Sequence, residues 1–82
     1  MATTQWLRDL DRRAVAELEA TGIPWAAVQR WLDEVHPSEA FMSRMFLKQI
    51  LLVLSDDQAA PRERFEARRE LHRRLIAARI LD

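Results

Sequence analysis

Side chains able to bind metal ions or transfer protons are few in this sequence and widely separated. There are two histidines, His36 and His72, and no cysteine. Asp33 and His36 are three residues apart and can share a helix face, but a metal site needs three or four converging ligands. The sequence therefore predicts no metal site. We expect His36 to cap the C-terminus of a helix, where the helix dipole favours a positive charge, and His72 to be a half-buried core residue.

Catalytic motifs are equally scarce. Asp56 and Asp57 are adjacent carboxylates, but neighbouring acids in a loop before a helix usually serve as caps and solvating groups. The chain has one glycine and no tyrosine, so it contains neither a glycine-rich phosphate loop nor a Gly-x-Ser-x-Gly nucleophile elbow. We therefore predict that the protein is not an enzyme and that it uses no cofactor and no small-molecule substrate.

Length and charge indicate one small domain with an uneven charge distribution. The 82 residues leave room for a single domain spanning residues 1–82. Residues 1–57 carry six basic and nine acidic side chains, whereas residues 58–82 carry seven arginines and four acids. The basic last quarter predicts charge complementarity within the chain or with a partner. The N-terminus lacks a signal pattern and the longest apolar run, residues 50–54, is too short to span a bilayer, which predicts a cytoplasmic protein.

The apolar periodicity predicts an all-α fold of four helices, at about residues 4–21, 24–35, 38–55 and 61–81. Gly22 is expected to end the first helix in a left-handed conformation. Pro24 suits the first position of the second helix, where its missing N–H would have no partner. Ser38 is a candidate cap for the third helix, and a last loop ends at Pro61.

The third predicted helix is apolar around most of its circumference, so it should be central and buried. The fourth predicted helix has an apolar arc that includes Arg68 and Arg79. The aliphatic stems of these two arginines can cover hydrophobic surface while the guanidinium groups reach water or an acid on a partner. The remaining members of the arc are Phe65, Leu71, His72, Leu75, Ile76, Ala78 and Ile80.

Residues 14–33 resemble the helix-turn-helix motif of DNA-binding proteins. Gly22 matches the turn glycine and Ile23 the apolar residue after it, while Val28 and Trp31 match the inward-facing positions of the second helix. The resemblance implies that one face of this helix reads the major groove. Its DNA-binding residues would be Trp25, Ala26, Gln29 and Arg30, with Gln29 and Arg30 able to read adenine and guanine edges.

The same joint also fits a simple corner in a helical bundle. The motif usually has a small residue where this chain has Leu18, and an apolar residue where it has Glu17. Asp33 and Glu34 in the second helix oppose phosphate binding, which depends on cationic side chains. We therefore favour the corner and keep sequence-specific DNA binding as the alternative.

The sequence thus predicts a small module for protein–protein interaction, acting as a regulator, inhibitor or adaptor through its helix faces. Its partner would be another protein or a second copy in a homodimer, since the apolar surface exceeds what a monomer of this size easily covers. Nucleic acid is the alternative partner, and no membrane is involved. The predicted partner-binding residues are Trp25, Arg30, Arg68, Arg69 and Arg73.

Overall fold

The computed structural model describes residues 12–82, which form four α-helices and no strand. The helices are α1 (Arg12–Ala20), α2 (Trp25–Glu34), α3 (Ala40–Ser55) and α4 (Pro61–Ala77), with a short 3₁₀ turn at Pro37–Glu39 before α3. The all-α, four-helix prediction is confirmed. The predicted start of the first helix near residue 4, and the apolar side chains Trp6, Leu7 and Leu10, lie outside the described residues.

The joint between α1 and α2 is a Schellman motif that ends at a proline. Gly22 has φ +94°, and its N–H donates to Glu19 O at 3.2 Å, while the Ile23 N–H donates to Leu18 O at 2.9 Å. Ile23 and Leu18 are both buried, which supplies the apolar contact typical of this motif. Gly22 therefore ends α1 as predicted. Pro24 is the N-cap of α2 rather than its first helical residue.

The connection from α2 to α3 differs from the prediction at His36. Val35 is the C-cap of α2, and His36 instead caps the 3₁₀ turn. The Ser38 N–H donates to His36 Nδ1 at 3.1 Å. The prediction that His36 caps the end of α2 is wrong, because its side chain turns forward to the residues after Pro37. Likewise, Ser38 lies inside the 3₁₀ turn and does not cap α3.

The last helix ends four residues earlier than predicted. Arg79 adopts a left-handed conformation with φ +61°, its N–H donates to Ile76 O at 2.9 Å, and the Ile80 N–H donates to Leu75 O at 2.9 Å. This second Schellman motif stops α4 at Ala77 and directs the following residues back toward the core. Ile80 and Leu81 pack there as partly buried residues.

The core lies where α3 meets the other helices. α3 contacts α1, α2 and α4, which confirms its predicted central position. Its inward side contributes four apolar residues, and α1, α2 and α4 cover them with buried side chains of their own. The α3 members are Leu47, Ile50, Leu51 and Leu54, and the covering residues include Leu18, Val28, Trp31, Leu71 and Leu75.

Candidate protein-interaction surfaces

The two arginines of α4 that point toward α1 share one acid of the same chain. Arg68 Nη1 donates to Glu17 Oε1 at 2.7 Å, and Arg64 Nη1 donates to Glu17 Oε2 at 3.2 Å. All three side chains are about a quarter exposed. The sequence predicted that Arg68 reaches water or an acid on a partner. The structure corrects this prediction, since the acid belongs to α1 of the same chain.

Arg64 also fastens α4 to the loop that follows α3. Its guanidinium donates to Leu54 O at 2.8 Å and to Asp56 O, and its Nε donates to Ala59 O at 3.4 Å. Carbonyl groups at a helix end lack partners within their own helix, and the fork of an arginine can satisfy several at once. The Arg64 side chain therefore has a structural role.

The other arginines of α4 differ in how they are paired. Arg62 Nε lies 3.5 Å from Glu66 Oε2, and Arg73 Nη1 lies 3.5 Å from Glu70 Oε2. Arg74 stacks on Phe46, with Cζ 3.9 Å from the ring centre. Within residues 12–82, the Arg69 side chain has no hydrogen-bond or ion-pair partner. Arg69 is thus the α4 cation that is available to an external anion without breaking an internal pair.

Arg69 lies at a surface cavity of about 420 Å³ between α4 and the α1–α2 joint. We call this the joint cavity. It is lined by Thr21, Ile23, Phe65, Arg68, Arg69 and His72. Phe65 was expected in the core-facing arc of α4, but it is 55% exposed, which corrects that prediction. The cavity combines an aromatic ring, an aliphatic side chain and an unpaired guanidinium, which are features of an interaction surface.

A second exposed apolar surface lies on α3. It consists of Phe41, Met42, Met45 and Leu52, which we call the α3 ridge, with exposures of 63%, 66%, 38% and 43%. Phe41, Met45 and Leu52 are four and seven residues apart, so they lie along one side of the helix. The covering helices pack on the opposite side, at Leu47, Ile50 and Leu54, which leaves the ridge open.

The outer surface of α2 carries three of the four residues implied by the helix-turn-helix resemblance. Ala26, Gln29 and Arg30 are exposed, whereas Trp25 is only 7% exposed. The prediction that Trp25 lies near the surface for a partner is therefore wrong. Trp25 shares the apolar arc of Val28 and Trp31, both of which are buried, and helical geometry places it against the core with them.

The exposed cation of α2 is paired with an acid, and other acids lie on the same helix and at its N-terminus. Arg30 Nε donates to Glu34 Oε2 at 2.6 Å, and Asp33 is exposed on the same helix. The Glu19 carboxylate accepts from the Trp25 N–H at 3.4 Å, so a carboxylate of the chain itself lies at the N-terminus of α2. Helix N-termini are a preferred place for phosphate, and here Glu19 takes that place.

The described residues contain no cluster suited to a metal ion and no membrane-crossing helix. No three histidine, aspartate or glutamate side chains in residues 12–82 converge as ligands. No helix of this part of the chain is long and apolar enough to cross a membrane. His72 is half-buried as expected, but it lines the joint cavity at the surface, and His36 lies at the 3₁₀ turn.

Two features of these surfaces were missed in the sequence. Glu17 was identified only as a departure from the helix-turn-helix pattern, and its pairing with Arg64 and Arg68 spans 47 and 51 residues. A pattern of neighbouring residues in the sequence cannot indicate a contact over such a separation. The residues of the α3 ridge belong to a helix that was predicted to be buried. Their exposure depends on which side of α3 the other helices cover.

Comparisons of the chain with protein-family models, with curated proteins and with solved structures gave no significant match.

Proposed function

We propose that this protein is a non-catalytic protein–protein interaction module that binds through the α3 ridge, either to a second copy of itself or to an apolar face of another protein. The observation that carries the proposal is the exposure of four large apolar side chains on one side of a helix whose other side forms the core. The proposal places the protein in the cytoplasm.

The size of the α3 ridge supports this proposal. Side chains of this kind have on the order of 200 Å² each, so the ridge offers roughly 400 Å² of apolar surface. Apolar patches of about 300–600 Å² on small proteins are often functional. Two ridges facing each other would bury about 800 Å², and the surrounding residues would bring the total toward the low end of specific interfaces.

The chemistry of the ridge also favours a partner helix. Met42 and Met45 have flexible, polarisable side chains that adapt to varied apolar surfaces. Phe41, Met45 and Leu52 follow the spacing by which one helix presents anchors to another. The ridge residues lie between the polar Arg44, Lys48 and Gln49, which gives the apolar centre and polar rim of ordinary interfaces.

Measurement of mass in solution tests the proposal. We expect sedimentation equilibrium between 5 and 200 µM to give twice the mass of one chain at the higher concentrations, or else a monomer that binds an apolar fluorescent dye. Met42→Glu should abolish either behaviour, since it places a charge in the ridge. Gln29→Glu, which adds the same charge to the exposed surface of α2, is the matched control. A single-chain mass at every concentration without dye binding would contradict the proposal.

Sequence-specific DNA binding is the second candidate function. It is supported by the tight turn at Gly22 and by the exposure of Gln29 and Arg30 on α2. The test is a titration with duplex DNA at low and moderate salt, followed by tryptophan fluorescence. Binding through phosphates should weaken steeply with salt, and Arg30→Ala should relax the base preference. No response at low salt would remove this candidate, and the acids around Arg30 make that the outcome we expect.

A further inference from the structure

We propose that the joint cavity binds a carboxylate-bearing segment of a partner protein, with Arg69 as the residue that pairs with the carboxylate and with Phe65 as the apolar wall. This inference rests on the proposed function only in that the ligand is a protein segment. It concerns a different surface from the α3 ridge.

Arg69 differs from most other arginines of α4 in its ion pairing. Arg62, Arg64, Arg68 and Arg73 each lie within 3.5 Å of a carboxylate of the same chain. In the described part of the chain, Arg69 has no such carboxylate. Its guanidinium can therefore take an external carboxylate in the two-bond geometry that arginine favours, and no internal pair has to be broken.

The size and lining of the joint cavity also suit such a segment. Its volume is about 420 Å³, which is in the lower part of the range of pockets that hold small ligands. Phe65 supplies exposed apolar surface beside Arg69, and the buried Ile23 and half-buried His72 complete that part of the lining. A glutamate or aspartate next to a leucine or phenylalanine matches this lining, with its carboxylate on Arg69 and its apolar neighbour on Phe65.

The charges at the joint cavity favour a carboxylate of a protein over a nucleic acid. Binding to a phosphate backbone requires several cations along one surface. At the joint cavity Arg68 is already bound to Glu17, so among residues 12–82 the cavity has one guanidinium without an ion-pair partner, that of Arg69. One unpaired charge beside an aromatic ring fits one carboxylate of a protein segment.

Two small probes test the proposal. The first is N-acetyl-leucyl-glutamic acid with its main-chain carboxyl amidated, and the second is the same molecule with glutamine in place of glutamic acid. Each is titrated into ¹⁵N-labelled protein at up to 20 mM. We expect the glutamate probe to shift the amide signals around Arg69 and His72 with a millimolar Kd, and the glutamine probe to bind at least about tenfold more weakly, because it lacks the charge.

Variants of the protein identify the residue responsible. Arg69→Gln should weaken binding of the glutamate probe about tenfold, and Arg69→Lys should restore part of it, because a lysine keeps the charge but not the fork. Arg62→Gln is the matched control on the outer surface of α4 and should leave binding unchanged. Far-ultraviolet circular dichroism confirms that each variant is folded.

The outcomes separate this proposal from its alternatives. Equal binding of both probes, no shift at 20 mM, or loss of binding in Arg62→Gln would each overturn it. Tight, salt-dependent binding of a 12-base-pair DNA duplex that Arg69→Gln abolishes would assign the site to nucleic acid and also overturn it. Met42→Glu should leave probe binding intact, so failure of the α3 ridge proposal and failure of this one are observed separately.

Discussion

Arg68 Nη1 lies 2.7 Å from Glu17 Oε1 and joins the last helix of the protein to the first described one. The same carboxylate also accepts from Arg64. One partly buried acid therefore pairs with two arginines that are 47 and 51 residues away in the sequence. Two of the seven arginines of residues 58–82 thus hold α4 against α1.

Glu17→Gln should destabilise the protein by about 2 kcal/mol, because it leaves two partly buried guanidinium groups without their counter-charge and close to each other. For a domain of this size the loss corresponds to a fall in Tm of roughly 10 °C. Urea unfolding followed by circular dichroism measures it. Glu34→Gln, which removes the exposed partner of Arg30, is the control and should cost less than about 0.5 kcal/mol. Equal effects of the two substitutions would show that the Glu17 pairs are not structural.

Gly22→Ala should destabilise the protein by about 1 kcal/mol. A Cβ added at Gly22 meets no atom within 4 Å, so the cost arises from the left-handed backbone conformation alone. Thermal unfolding checks this expectation. The reduction should be similar for Gly22→Ser, since the strain does not depend on the size of the side chain. A much larger loss for serine than for alanine would indicate steric crowding instead.

Arg79→Gly should leave the free energy of unfolding unchanged or raise it by up to about 1 kcal/mol. Arg79 is a non-glycine residue at φ +61°, and glycine adopts this conformation without strain. The gain is offset in part by the greater freedom of glycine in the unfolded chain. Urea unfolding gives the difference, with exposed Arg62→Gly in the first turn of α4 as the control that should be destabilising. A loss of stability in Arg79→Gly would contradict the assignment of strain.

Trp25→Ala should destabilise the protein by about 3 kcal/mol or more, because it removes a large buried side chain. Gln29→Ala, on the exposed surface of the same helix, should change the free energy of unfolding by less than about 0.5 kcal/mol. Both are measured by chemical denaturation. A small effect of Trp25→Ala would place the side chain at the surface, as the sequence had predicted.

Arg74 and Phe46 should be coupled by about 0.5–1 kcal/mol in a double-mutant cycle of Arg74→Gln and Phe46→Leu. The guanidinium carbon lies 3.9 Å from the ring centre, within the range of a cation–π contact. The Phe46 ring also meets Trp31 edge to face, with a centroid separation of 6.0 Å. Additive effects of the two substitutions would show that Arg74 covers the ring without a specific interaction.

Local signals in the sequence were sufficient for the helices and for the first joint. Gly22 and Pro24 mark the joint because their backbone preferences act over a few residues. The end of α4 was misplaced because arginine rarely adopts a left-handed conformation, so nothing in the sequence around Arg79 indicates a stop. Tertiary packing of Ile80 and Leu81 accounts for it.

The surfaces were less predictable than the elements. Trp25 belongs to the apolar arc of α2, and this membership correctly indicates that its side chain is buried. Its position next to the turn suggested exposure, which is wrong. The α3 ridge and the pairing of Glu17 depend on how helices pack across long sequence separations, which periodicity alone does not report. Arg69 was predicted as a partner-binding residue along with Arg68 and Arg73, and only the contacts of its neighbours single it out.

The anchoring of α4 by Arg64 has a consequence for how this protein can diversify. The bonds from Arg64 to Leu54, Asp56 and Ala59, and its pair with Glu17, all lie on the inward side of the helix. Phe65, Arg69 and Ile76 on the outward side make no part of that attachment. Substitutions at those three positions can therefore change the outward surface of α4 and leave the contacts that attach the helix unchanged.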